Sequence, residues 1–282
     1  MNAAVALVLF AGMAGLARLL LPGMLRFLND HGLTAPNYAG EIIPVGTGAV
    51  IVLLDLALYT LFIAGEEWLP VLPGFASTAW LANGDAAAYV LVFAVGWLDD
   101  TIGERKVKGL AGHWRQWRRT HSPSTGIVKA LLVGTAALWV VARGSGSWAE
   151  AGFDWLTIAL SANALNLLDV RPGRAWKSFG LGAAVLLATS PLSGCVWMLP
   201  ALAAGAALLP GDLRGRHMLG DCGSNLLGFT LGCALANAAP VWLQGSALLL
   251  LLAMHRTAEK SSITAWIERH KWVRWLDRFG RV

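Results

Sequence analysis

Charge is what this sequence has least of. Of 282 residues only 14% are Asp, Glu, Lys or Arg, while 56% are hydrophobic and the mean hydropathy is +0.57. A water-soluble domain carries about 25% charge. The deficit excludes a chain wetted on all sides and leaves lipid to cover much of the surface. Cysteine is scarce too: Cys195, Cys222 and Cys233 are odd in number and lack CxxC spacing. No disulfide framework and no zinc site follows from them, and buried small residues is the plain reading. No basic residue precedes the first apolar run, and Arg18 stands only at its far end. The N-terminus therefore reads as a span and not as a cleaved signal peptide. No internal repeat and no low-complexity linker is visible, which gives one domain over residues 1–282.

Tryptophan, by contrast, is abundant: the 14 Trp suit a membrane protein, because Trp gathers at lipid–water interfaces. A helix crosses the hydrocarbon core in about 20 apolar residues. The pattern predicts an all-α polytopic bundle of nine spans, near 3–21, 43–64, 84–99, 126–142, 153–169, 176–190, 193–209, 224–239 and 241–256. The stretch Trp68–Leu81 is too short to cross and reads as interfacial or re-entrant. Basic residues collect in every other loop: Arg26; Arg105, Lys106, Lys108, Arg115, Arg118 and Arg119; Arg171, Arg174 and Lys177; Arg214 and Arg216; and the tail from Arg256. The alternate loops carry Glu66, Glu67, Asp85 and Glu150, with Arg143 as their basic residue. This asymmetry places the N-terminus outside and the C-terminus in the cytoplasm of a cell (inner) membrane. Residues 257–282 form a basic amphipathic tail: Ile263, Trp266 and Ile267 share one helical face, and Trp272, Trp275, Leu276 and Phe279 another. A break near Glu268–Lys271 would let both halves lie flat on an anionic leaflet.

Polar groups at span ends are costly and often functional. Asp99 and Asp100 end the third span and repel each other unless a cation sits beside them. Paired hard oxygens suit magnesium, although a solvated helix end is the bland alternative. Asn163, Asn166 and Asp169 end the fifth span at a spacing of three, which turns each by about 60° on a helix and keeps all on one side. They serve either a phosphate, sugar or metal site or hydrogen bonds between helices. Gly220-Asp221-Cys222-Gly223-Ser224-Asn225 opens the eighth span, where a helix N-terminus suits phosphate. Asp221 there is either a cap or a metal ligand. The following Gly228–Gly232 pair has GxxxG spacing and reads as helix packing.

Taken together and in this order, these groups resemble the polyprenyl-phosphate N-acetylhexosamine-1-phosphate transferases (glycosyltransferase family 4). That family includes the phospho-N-acetylmuramoyl-pentapeptide and undecaprenyl-phosphate N-acetylglucosamine-1-phosphate transferases. Trp97–Asp100 looks like the family's aspartate pair, Asn163–Asp169 like NxxNxxDG, and Gly220–Gly228 like GDxGSxxLG. Pro36-Asn37-Tyr38 with Pro44 and Gly48 is similar to its donor-side loop. The resemblance implies a polyprenyl phosphate acceptor, a UDP-N-acetylhexosamine donor, magnesium, and release of UMP, in the synthesis of envelope polysaccharide or peptidoglycan precursors. It implies catalytic roles for Asp99 and Asp100, metal binding by Asp221 and Asp100, and substrate binding by Asn163, Asn166, Asp169, Gly220, Gly223 and Ser224. No nucleic-acid partner is expected, and a homodimer stays open. The family continues its second motif as DGxDG, whereas Val170-Arg171-Pro172-Gly173 follows Asp169 here. Where the family carries a His cluster, only His255 and His270 lie nearby. These departures, with short cytoplasmic loops, favour a small UDP-N-acetylhexosamine over a pentapeptide-bearing donor. They also keep a non-catalytic lipid-phosphate binder in play. An ion-coupled transporter ranks last, because the acidic motif residues sit at span ends and not at span centres.

The charge asymmetry generates a topology test. In an otherwise Cys-free variant, cysteine at Ser147 should label from outside, and cysteine at Lys108 or Ala265 only from inside. Outside labelling at position 108 would separate the motifs from any cytoplasmic nucleotide-sugar.

Overall fold

The structure is a computed structural model and describes residues 3–68, 85–103, 118, 121, 124–144 and 146–281. The described residues form helices and one short antiparallel ribbon. In chain order these are α1 (Ala3–Asp30), β1 (Thr34–Pro36), β2 (Ile42–Pro44), α2 (Ala49–Trp68), α3 (Asp85–Ile102), α4 (Thr125–Val141), α5 (Trp148–Leu168) and α6 (Arg174–Thr189). A 3₁₀ segment (Leu192–Met198) then leads into α7 (Leu199–Leu213), followed by α8 (Gly220–Ala238), α9 (Val241–Lys260), α10 (Ile263–Arg269) and α11 (Lys271–Arg278). The all-α class holds, and a helix occupies each of the nine apolar stretches. Most of the expected interfacial segment, residues 69–81, lies outside the described residues, as do Arg105, Lys106, Lys108, Arg115 and Arg119.

Several edges differ from the apolar pattern, for local reasons. α1 runs past residue 21 to Asp30 through Pro22. The second helix begins at Ala49 and not near 43, because Ile42–Pro44 pairs with Thr34–Pro36 in register Thr34–Pro44, Ala35–Ile43 and Pro36–Ile42. Strands of three residues are too short for alternation to reveal them. Two helical stretches among the described residues, Ala3–Asp30 and Leu192–Leu213, are long and apolar enough to cross a membrane, while Ala49–Phe62 and Thr125–Val141 are shorter apolar helices.

α8 is the axis of the bundle, with every residue from Cys222 to Leu235 buried. It packs chiefly on α5 and α3, and also on α6 and α2. Gly228 makes the α5 contact close: a Cβ there would lie 2.2 Å from the Ser161 carbonyl oxygen and 2.6 Å from Ala162 Cα. Small side chains such as Ala17, Ala136, Ala137, Ala162, Ala203 and Ala234 share the interior with large ones such as Leu54, Ile158, Phe179 and Phe229. Many large apolar side chains also point outward, among them Val8, Leu19, Leu131, Leu181, Leu249 and Leu250. An apolar exterior of this extent needs an apolar cover.

The tail is not a free amphipathic strip. It breaks at His270 between α10 and α11, within the expected interval. Asp277 is buried, and its carboxylate takes a bidentate pair from Arg174 at 2.8 and 2.9 Å and a second pair from Arg281 at 2.6 and 3.1 Å. Lys177 Nζ donates to the Asp277 carbonyl at 2.7 Å, and Arg281 Nε donates to the Pro172 carbonyl at 2.7 Å. The tail is thus bolted to the start of α6, while Trp272, Trp275, Leu276 and Phe279 remain exposed.

Burial alone would push the Asp277 carboxyl up, but the hydrogen bonds from Arg174 and Arg281 outweigh it and hold it below the usual carboxylate range. A depressed carboxyl stabilises the docked tail above its unfolded value of about 3.9 and loses that stabilisation as pH falls through the folded value. Protection of the Arg269–Lys271 junction from trypsin should therefore be unchanged between pH 8 and pH 5.5. Asp277→Ala should abolish it at neutral pH, because removing one partner of a buried pair costs about 3–5 kcal/mol. Loss of wild-type protection between pH 8 and pH 5.5 would contradict this account.

Candidate active site

The site begins where α3 ends on the start of α8. Gly96 lets the two backbones touch, since a Cβ there would fall 2.4 Å from Cys222 Cα. One turn on, Asp100 Oδ1 accepts the Asp221 amide at 2.7 Å and Oδ2 accepts the Cys222 amide at 3.0 Å. These amides open α8 and have no partner within their own helix, so Asp100 caps it from another element, at the positive end of its dipole. Gly220 turns the chain into α8 with φ +79°, and a Cβ there would sit 2.6 Å from Asp100 Oδ2. The anion position expected at this N-terminus is thus held by a carboxylate of the protein.

That junction aims Asp99 and Asp221 at a common point, where Lys129 stands. Its ammonium lies 2.5 Å from Asp99 Oδ2 and also donates to Asp221 Oδ2. The Lys129 and Asp99 side chains are only 13% and 15% exposed, so water screens this pair little. Asn166 completes the cluster from α5. Its amide fits with the oxygen 3.2 Å from Lys129 Nζ and the nitrogen 3.0 Å from both Asp221 Oδ1 and Ser224 Oγ. Four helices, α3, α4, α5 and α8, therefore each supply a polar group to one spot.

The remaining motif residues surround this cluster or pack behind it. Asn163 Nδ2 lies 2.9 Å from His255 Nε2, while His255 Nδ1 lies 2.8 Å from the Leu251 carbonyl. That geometry puts the ring proton on Nδ1 and leaves Nε2 to accept. His270 is exposed in the tail, with its Nδ1 2.8 Å from the Trp266 carbonyl. Asp169 ends α5 within electrostatic reach of Asp212, Asp221 and Asp100. Asp212 Oδ2 accepts the Gly173 amide at 2.6 Å and so fastens the loop after Asp169. Gly223 is pressed against Gly48, and Ser224 is buried against Asn166, so both act in packing and reach no open surface. The Pro36–Gly48 segment lies against the loop before α8: Met218 N donates to the Pro44 carbonyl at 2.8 Å, and Asn37 Nδ2 to the Gly215 carbonyl at 3.2 Å. His217 in that loop is buried, and burial lowers its imidazole to about 4, so it stays neutral. Arg118 is exposed.

Two charged residues lie inside apolar runs and were not singled out by the motifs. Lys129 interrupts the fourth stretch one turn from its start, and Asp55 stands near the middle of α2. A charge inside an apolar run is the signal that marks both.

Among the described residues no three His, Cys, Asp or Glu side chains gather as a metal site. The donors still fit magnesium. Asp99 and Asp221 converge on one cation-sized point, Asn166 offers a third oxygen, and Asp100 and Asp169 add negative charge around it. Magnesium is held in many sites by one or two carboxylates with substrate phosphates and water supplying the rest. The fold and site together define a helical bundle with a buried ionic cluster at one end. No protein-family model matches the chain, and no curated protein matches it in sequence.

Lys129 neutralises two carboxylates, so its removal should be costly beyond lost packing. Lys129→Met should lower thermal stability by about 3–5 kcal/mol. Lys129→Met with Asp221→Asn should recover part of that loss, because the charges left unpaired are then fewer. Equal stability of the single and double variants in thermal unfolding would remove Lys129 as the hub.

Proposed function

We propose that this chain is a multi-pass membrane enzyme that transfers an N-acetylhexosamine phosphate from a UDP-sugar to a polyprenyl phosphate and releases UMP. The observation that carries the reading is the meeting of Asp99, Asn166 and Asp221, one from each motif, around Lys129. An outward array of Leu and Val, with Gly228 and Gly232 of α8 pressed on the α5 backbone, suits helices that pack in lipid. With the basic loops in the cytoplasm, the nine helices would cross the inner membrane and the cluster would face the compartment of nucleotide-sugars.

Phosphoryl transfer asks the protein for alignment and charge neutralisation. A lipid phosphate oxygen attacks the β-phosphorus of the donor, the bond from that phosphorus to the bridging oxygen breaks, and UMP leaves with that oxygen. Asp99 orients the lipid phosphate and takes its remaining proton, a small demand because the second pKa of a phosphate monoester is about 6. Asp221, with the Asn166 oxygen, would hold magnesium, which when bound neutralises the diphosphate and polarises the leaving group. Asp100 spends both oxygens on the start of α8, so its part is to position Asp221. Asn163, set by His255, and Asp169 face the donor. Gly220, Gly223 and Ser224 shape this wall. Lys129 offers its ammonium to a phosphate oxygen.

One observation favours a second reading. Lys129 already neutralises Asp99 and Asp221, as a site that binds lipid phosphate without chemistry would require. Purified protein with polyprenyl phosphate and magnesium distinguishes the two. UMP release should be faster with UDP-N-acetylglucosamine than with UDP-N-acetylmuramoyl-pentapeptide. Asp221→Asn should reduce it by roughly 100-fold or more while the protein stays folded and inserted. Near-normal turnover in that variant makes Asp221 a helix cap only. Lipid-phosphate binding without UMP release from either donor selects the non-catalytic reading.

A further inference from the structure

One side of α11 is fastened to the bundle and the other is bare. Asp277 points inward, where Arg174 and Arg281 hold its carboxylate. At about 100° per residue, Trp272, Trp275, Leu276 and Phe279 fall within one arc of about 100°, centred about 150° from Asp277. They are 83%, 59%, 58% and 66% exposed. α10 differs, because its Ile263 and Ile267 are buried. The uncovered apolar stripe is therefore chiefly that of α11.

Charge decides what suits this stripe. Residues 269–281 carry five Lys or Arg and one Asp, and that acid, Asp277, is buried in its own pairs. Glu268 is engaged by Arg278 at 2.9 Å. Lys271, Arg274 and Arg278 line one flank of the stripe, and Arg269 and Lys271 are exposed. Residues 104–120 carry six Lys or Arg and one Glu by sequence, so their charge opposes contact with the tail, as does that of a second tail. A basic helix with Trp, Leu and Phe along one side matches an anionic lipid surface. Its place in the bundle agrees. α11 is tied to Arg174 and Lys177 in the first turn of α6, and Leu181, about 10 Å farther along α6, is apolar and exposed. α11 thus lies where an apolar helix surface gives way to charge.

The anchor carries this contact into the protein. Lys177 Nζ donates to the Asp277 carbonyl at 2.7 Å and to the Leu276 carbonyl at 3.3 Å. Arg281 Nε donates to the Pro172 carbonyl at 2.7 Å. Pro172 belongs to the loop after Asp169, so what fixes α11 fixes that loop from behind. We propose that α11 seats in the interface of an anionic phospholipid leaflet, and that this seating steadies residues 170–173 through Asp277 and Arg281. Neither contact involves the Lys129 cluster, so both stand whether or not the chain is a transferase.

The test is hydrogen exchange, read by mass spectrometry on the full-length protein in nanodiscs. One set of discs is phosphatidylcholine, and the other is phosphatidylcholine and phosphatidylglycerol in equal parts. In the anionic discs, residues 272–279 and residues 170–177 should both exchange roughly tenfold or more slowly. Salt at about 1 M, which cuts the screening length to about 3 Å, should erase the difference. Arg269→Gln with Lys271→Gln, two exposed side chains outside the anchor, should shrink it in both segments. Asp277→Asn should keep it in α11 and remove it from the loop. In the wild-type protein, equal exchange in the two lipids, a difference that salt leaves intact, or slowing of α11 without the loop would each overturn the proposal. So would an unchanged difference in the Arg269→Gln, Lys271→Gln variant, or a lipid-dependent loop in Asp277→Asn. The wild-type comparison needs no variant, so it holds even where Asp277→Asn folds poorly.

Discussion

The Asp100 carboxylate, clasped by the Asp221 and Cys222 amides in the first turn of α8, is the interaction on which the rest of the site depends. It joins residues 121 and 122 positions apart and satisfies donors that a helix start leaves orphaned. Because Asp99 precedes Asp100 and Asp221 contributes one of those amides, the clasp brings two like charges toward one point. Lys129 resolves the conflict that follows. The positive end of α8, the two acids and the ammonium form one electrostatic unit. None of its members has a good reason to be buried alone.

Much of this was legible in the residues. Apolar run lengths located the helices, and the polar interruptions at 99–100, 163–169 and 220–225 marked the segments that meet. Which partner each would take was not legible. Asp100 reads as one of two equivalent acids, and nothing local says that its oxygens go to backbone amides from another motif. Ser224 and Gly223 sit in a phosphate-like sequence, yet packing on Asn166 and Gly48 closes them off. Lys129 and Asp55 escaped because each is a single polar letter in an apolar run, and run-based reading averages over it. The ribbon at 34–36 and 42–44 is below the length at which strand periodicity exists. The tail's amphipathic faces were visible, but the Asp277 anchor to Arg174 spans 103 residues and leaves no local trace.

Small residues have a particular task where α5 meets α8. Small residues on α5 and α8 let backbones approach until Gly228 leaves no room for a methyl group beside Ser161. Close backbone contact favours dispersion, which must supply helix association where lipid removes the hydrophobic drive. The same closeness holds Asn166 and Ser224 of neighbouring helices within hydrogen-bond range, so the packing of the bundle also sets the distances in the site.

The Asp277 anchor bears on the order in which the molecule is made. Arg174 and Pro172 leave the ribosome about 100 residues before Asp277 and Arg281, their partners. At synthesis rates of about 5–20 residues per second, this interval is roughly 5–20 s. During it, α6 to α9 are available to assemble while the guanidinium of Arg174 has no carboxylate from the tail. The loop that follows Asp169 is consequently completed after the helices around it, by a segment that emerges later.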